Sequence, residues 1–113
     1  MAEPRRVVIT GIGAITPIGI GVEGLWAGLQ RGESAVRGIT RFDPAPFRTR
    51  IAAQVDDFHA TDHIEERKAR RIDRFGQFSV AASRLALADA ELDLATEDRD
   101  RVGVMMGTAL GGV

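Results

Sequence analysis

The sequence contains no cysteine. This excludes disulfides, thiolate metal sites and a cysteine nucleophile from its 113 residues. Histidine is scarce: His59 and His63 are the only two, too few for most all-histidine sites. Large packing units are also few, with five Phe and one Trp. A charge of one sign is missing as well. Fifteen Lys+Arg face sixteen Asp+Glu for a net charge of −1, which excludes a global polycation wrapping nucleic acid and an acidic disordered tail. The longest uncharged run, Val7 to Val22 after Arg5-Arg6, is shorter than the ~20 residues that span a bilayer. Thr10, Gly11, Gly13, Thr16 and Pro17 interrupt it and no small-x-small cleavage site follows, so it is not a signal peptide. A soluble cytoplasmic protein is expected, without a membrane segment.

What is present is small and apolar. The residues AVILMFWYC make up 44%, and thirteen glycines come on top. Together they exceed the ~45–50% usual when Gly is counted as apolar. Small residues filling tight spaces suggest a layered interior.

Arg6 to Thr10 is a β-branched run stopped by Gly11, the pattern of a strand buried on both faces. Gly11 to Gly21 is a glycine-punctuated loop with a Thr16-Pro17 turn. Val22, Leu25, Trp26 and Leu29 fall at i, i+3, i+4, i+7, one helix face, and Gly32 caps its end. Residues 33–61 are irregular, with a rigid turn at Asp43-Pro44-Ala45-Pro46 and a short edge strand within Ile51 to Val55. Thr61 to Arg71 is expected to form a short helix started by an Asp62–Glu65 capping box. Asp73 is placed to cap the next helix, from Arg74 to about Glu91. That helix has an apolar stripe of Phe75, Phe78, Ala82 and Leu85, and a small stripe of Gly76, Ser79 and Ser83 where another helix could approach. Asp89 to Asp100 is acidic and solvated. Arg101 to Met106 is a second buried-type strand, followed by the glycine loop Gly107 to Gly112. Two strands and three helices do not cover a parallel sheet on both faces, so the fold is α/β and incomplete.

Gly19-Ile20-Gly21-Val22-Glu23-Gly24 satisfies G-x-G-x-x-G. A dinucleotide fingerprint needs its first glycine at a strand end, but here the strand ends at Thr10 and Pro17 intervenes. His59 and His63 lie at i, i+4 near Asp56, Asp57 and Asp62 without a convincing third ligand, and read as surface histidines of a polar loop rather than a metal pair. Arg67, Arg70, Arg71 and Arg74 fall at i, i+3, i+4, i+7, so one continuous helix would stack four guanidiniums on one side. Charge alone leaves two readings: a solvated face with a Glu66–Arg70 pair, or a docking patch for an acidic partner. Nucleic acid ranks below both, because no aromatic residues interleave and no nucleic-acid motif is present. Beyond the second strand, Gly107 to Gly112 lies where α/β sheets bind ligands, with Leu110 its one large side chain.

Taken in order, these motifs resemble a known family. Arg5 to Gly13, Thr16-Pro17-Ile18-Gly19 with Trp26, Arg41-Phe42-Asp43, Arg70 to Phe75, and Arg101-Val102-Gly103 through Gly112 are similar to the start of the β-ketoacyl-acyl-carrier-protein synthases. The elongating type II enzymes match best, over essentially the whole chain. The resemblance implies a layered αβαβα thiolase-like fold built from two similar halves, of which residues 1–113 are the first segment of the N-terminal half. It implies a homodimer several times longer than this chain, with no cofactor. In the family a cysteine takes the acyl chain as a thioester. Two histidines help decarboxylate malonyl-carrier protein, and the resulting carbanion attacks the thioester. The cysteine and histidines would lie beyond Val113, and His59 and His63 match neither histidine. No catalytic residue is therefore assigned within the segment.

The resemblance places Arg67, Arg70 and Arg71 where these enzymes meet their acidic acyl carrier protein, which favours docking over a solvated face; Arg74 joins them by helix spacing. It places Leu110, with Thr108 and Ala109, at the acyl pocket, where a bulky aliphatic residue influences chain length. Ala109 stands where the family often has glycine. A rival expectation is a non-catalytic chain-length factor, in which the cysteine is replaced and glutamine takes its position. Another is a free-standing binding module built on the basic helix.

Overall fold

The structure is a computed structural model and describes Met1 and residues 3–112. Its first unit is a hairpin of β1 (Ile15–Thr16) and β2 (Gly19–Ile20), antiparallel with Ile15 opposite Ile20. The Thr16 hydroxyl closes the turn, donating to Gly19 O at 2.7 Å and accepting from Gly19 N at 3.1 Å. The chain passes directly into α1 (Gly21–Arg31), the helix expected from the Val22–Leu29 periodicity. Gly32 ends it in the left-handed conformation at φ 64°, which glycine adopts without a Cβ penalty.

The hairpin lies on α1 through glycine. A Cβ on Gly19 would stand 2.1 Å from Gly24 O, and one on buried Gly28 would stand 2.4 Å from Ile18 O. The G-x-G-x-x-G spacing thus serves backbone-on-backbone packing. Arg31 reinforces the contact by donating from Nη2 to Ile18 O at 2.8 Å.

Beyond α1, β3 (Val36–Gly38) pairs antiparallel with β4 (Ile51–Ala53), Arg37 opposite Ala52. The edge strand at 51–53 was expected and its partner was not, since Val36, Arg37 and Gly38 are all exposed and show no alternation. Phe47 N donates to Pro44 O at 3.0 Å, forming the expected proline turn. Buried Gln54 ties this loop down, accepting from Thr40 N at 3.2 Å and donating to Thr40 Oγ1 at 3.0 Å.

The expected helix over 61–71 is broken in two. A 3₁₀ turn spans Ala60–Asp62, and α2 covers only Glu66–Ala69. Between them Ile64 is buried, 4% exposed, and the backbone leaves helical geometry at His63 (φ −121°) and Glu65 (ψ 132°). The Asp62–Glu65 capping box does not form: Asp62 lies inside the 3₁₀ turn, and Glu65 is itself the N-cap of α2 with no side-chain bond. Asp73 is the N-cap of α3 (Arg74–Asp89) as expected, again without a side-chain cap. The close approach onto α3 also differs from expectation. At Gly76 an added Cβ would meet only Ile72, at 3.7 Å; the tight crossing is made by the segment at Gly11 and Gly13 over Ala82, Ala86 and Ala90 instead. A Cβ on Gly13 would come 1.8 Å from Ala82 O. Ile12 N donates to the Asp89 carboxylate at 2.8 Å across this crossing.

The largest departure concerns the two buried strands. Residues 6–10 and 102–106 pair into no strand, and Arg101 belongs to a 3₁₀ turn, Arg99–Arg101. Val7 is 89% exposed and Met105 95%. A doubly covered strand needs neighbours on both edges and layers on both faces, and the described strands pair only as two separate hairpins. The core is correspondingly small: Ala14, Phe58, Ile64, Ala69 and Ala81.

Candidate functional site

The basic segment forms an exposed ridge. Arg67 lies in α2, Arg70 is its C-cap, and Arg71 follows; all are exposed. With Glu66 they surround a shallow depression of about 290 Å³. Two cations are neutralised locally, Arg70 by an ion pair with Glu66, and Lys68 by Glu65 at 3.5 Å. Among the described residues Arg67 and Arg71 have no ion-pair partner. They are therefore the two cations of the ridge open to a partner's carboxylates.

Arg74 does not join them. The break between α2 and α3 abolishes the single helix face that would have aligned the four arginines, and Arg74 turns inward. Its Nη2 donates to Val55 O at 2.6 Å, and its guanidinium carbon lies 4.9 Å from the Phe78 ring centre and 5.5 Å from that of Phe58. Burial lowers its pKa; Arg41 nearby adds to the lowering and Asp56 opposes it. The two rings meet edge to face at 4.9 Å. Spacing from Arg67 pointed outward, whereas of the two rings that claim Arg74 one, Phe58, comes from another part of the chain, and Phe78 at i+4 was the one local signal.

His63 stacks on Phe58 at 5.9 Å with planes 6° apart. No group of three or more His, Cys, Asp or Glu among the described residues is arranged to hold a metal ion.

Thr108, Ala109 and Leu110 are exposed, with a bend at Ala109-Leu110 and Leu110 81% exposed. Thr108 Oγ1 accepts from Gly111 N at 3.1 Å, and Gly111 has φ 65°. The loop then returns to the start of α3, where a Cβ on Gly112 would stand 2.3 Å from the Asp73 carboxylate and 3.1 Å from the Phe75 ring. The end of the loop thus reaches Asp73, in the α2–α3 elbow, two residues beyond the last arginine of the ridge.

Residues 4–113 match the sequence profile of the family described as "Beta-ketoacyl synthase, N-terminal domain". The chain belongs to the β-ketoacyl synthase family. It is 41% identical over 113 residues to 3-oxoacyl-[acyl-carrier-protein] synthase 2 of Staphylococcus aureus (strain COL), covering 100% of this chain and 27% of that protein. A relative of the same name from Synechocystis sp. (strain ATCC 27184 / PCC 6803 / Kazusa) is 43% identical over 111 residues, 98% of this chain and 27% of its own length. Among solved structures, the ishigamide ketosynthase/chain length factor superposes with a TM-score of 0.72 at 46% identity, over 79% of this chain and 22% of that one. The α/β arrangement is thus part of the ketosynthase fold, and the chain spans 27% of the length of these curated relatives. No helix among the described residues is long and apolar enough to cross a membrane.

Proposed function

We propose that this β-ketoacyl synthase segment is the first part of the N-terminal half of an elongating 3-oxoacyl-acyl-carrier-protein synthase. The whole enzyme joins malonyl-carrier protein, with loss of carbon dioxide, to an acyl chain held as an enzyme thioester. The observation that carries this reading is the end-to-end likeness to the Staphylococcus aureus synthase at 41% identity. The acyl-accepting cysteine, absent from these residues, belongs under this reading to the additional length that the relatives possess. The enzyme acts in the cytoplasm as a homodimer and uses no cofactor or metal.

Within the segment, Arg67 and Arg71 receive the acidic carrier protein and Arg70 stands beside them, partly engaged by Glu66. Arg74 holds the ridge's foundations. Leu110, flanked by Thr108 and Ala109, borders the acyl pocket. Its exposure here fits a wall whose opposite side comes from other parts of the enzyme.

A second reading has a specific observation in its favour: the solved neighbour is named as a ketosynthase/chain length factor. In a chain-length factor the nucleophile is replaced. Purified full-length protein given acyl- and malonyl-carrier protein should release carbon dioxide and form the 3-oxoacyl product. A full-length chain with glutamine in place of the cysteine, and no condensation without a partner, would overturn the synthase reading in favour of the chain-length factor.

A further inference from the structure

The ridge cannot hold its own shape. A helix of four residues supplies too few hydrogen bonds to offset its ordering, and α2 is flanked by a 3₁₀ turn on one side and a break on the other. Something outside it must fix the backbone that carries Arg67, Arg70 and Arg71. The face of α3 that does so is Arg74, Gln77, Ala81 and Arg84, at i, i+3, i+7 and i+10. Ala81 is fully buried, which lets the helix lie close against its neighbours. The other three side chains all donate to backbone carbonyls of the preceding segment: Arg74 to Val55 O, Gln77 to Ala69 O and Ile72 O, and Arg84 to His63 O.

Gln77 is the member closest to the ridge. Its Nε2 donates to Ala69 O at 2.9 Å and to Ile72 O at 3.3 Å. Those two carbonyls bracket Arg70 and Arg71. The amide therefore caps the C-terminal end of α2, where carbonyls lack partners within the helix, and pins the elbow on both sides of the arginine pair. No other side chain donates to either carbonyl among the described residues.

We infer that Gln77 is a positioning residue for carrier-protein docking, acting by holding the Arg70–Arg71 backbone in the docking geometry. This rests on the docking reading proposed above. Without the amide, the ridge samples other conformations, and apparent affinity falls by the fraction of time the competent one is populated. Loss of a hydrogen bond of ordinary net strength corresponds to about a 3- to 10-fold change.

The test is a steady-state comparison in the full-length enzyme. Malonyl-carrier protein is set against the malonyl thioester of a small thiol, which has no protein to dock. Gln77→Met keeps the side chain's length and helix compatibility while removing the donor. Expected is a KM about 3- to 10-fold higher for malonyl-carrier protein, with kcat and the small-thioester KM unchanged, and with faster amide hydrogen exchange across 69–72. Gln77→Asn, one methylene too short to bridge both carbonyls, should give the same split even if the Met variant is poorly soluble. Arg67→Glu with Arg71→Glu runs alongside. If that double variant raises the carrier KM while both Gln77 variants leave it unchanged, the positioning role is overturned and docking stands. If the Gln77 variants shift both substrates together, the residue is merely structural and the inference fails. If neither the Gln77 variants nor the double charge reversal changes the carrier KM, the docking reading falls and takes this inference with it.

Discussion

Arg71 and Arg74 are three positions apart, and their guanidiniums meet opposite fates. Arg71 projects into solvent with no carboxylate partner among the described residues, while Arg74 is held against two aromatic rings and a backbone carbonyl. Its lowered pKa adds no pH dependence near neutrality, because an arginine stays protonated far above that range. A cation whose pKa is lowered by folding gains stability only as pH rises from that lowered value toward the unfolded one, far above neutrality. Arg74→Met should cost about 1–2 kcal/mol in thermal unfolding of the full-length protein, the combined worth of a partly desolvated cation–π contact and one hydrogen bond. The salt dependence of carrier affinity should stay as it was, since the side chain does not face the partner. Under the proposed function, Leu110 is the other residue whose identity matters. As a pocket wall it should discriminate by volume, and a misfit of one methylene is worth about 1–3 kcal/mol. Leu110→Phe should therefore shift products toward shorter acyl chains by chromatographic profiling, and an unaltered profile would remove Leu110 from the pocket.

Among the elements, α1 shows how tertiary contact overrides local preference. Replacing a mid-helix glycine by alanine ordinarily stabilises a helix by about 1 kcal/mol. At Gly28 the new Cβ would sit 2.4 Å from Ile18 O, and overpacking of that kind costs about 1–3 kcal/mol. Gly28→Ala should lower the melting temperature of the full-length protein despite the gain in propensity, and a rise would contradict the contact. The same distinction explains what the sequence made legible. Helices α1 and α3 were readable because a period of 3.6 is local, as was the Gly32 cap. The break before α2 was not, because no glycine or proline marks it: the backbone turns at Glu65, next to the buried Ile64. Strand β3 was hidden by its three exposed residues, and the apolar runs at 6–10 and 101–106 carry the composition of strands without the neighbours that make one. At the candidate site the basic cluster was visible as charge, whereas the inward turn of Arg74 and the role of Gln77 depend on the elbow, which spacing alone did not reveal.

At the scale of the whole molecule the dimensions are those of an open assembly. The Cα radius of gyration is 17.4 Å, against about 13 Å for a compact chain of this length. The accessible surface is 9472 Å², where a compact monomer of this mass shows about 6,100 Å². Much of the excess is apolar, including Val7, Ile9, Val104 and Met105. Expressed by itself, the 113-residue chain should bind an apolar dye and melt without a cooperative transition; a sharp two-state melt would instead support a free-standing module. The crossing of Gly11–Gly13 over α3, tied by Ile12 to Asp89, adds a requirement in time. During synthesis these early residues leave the ribosome before the helix they must lie on has been made, and at about 5–20 residues per second the wait lasts several seconds. Throughout that interval Gly11–Gly13 has no helix to lie on and Ile12 N–H no carboxylate to donate to, so this crossing is set only after α3 has been synthesised.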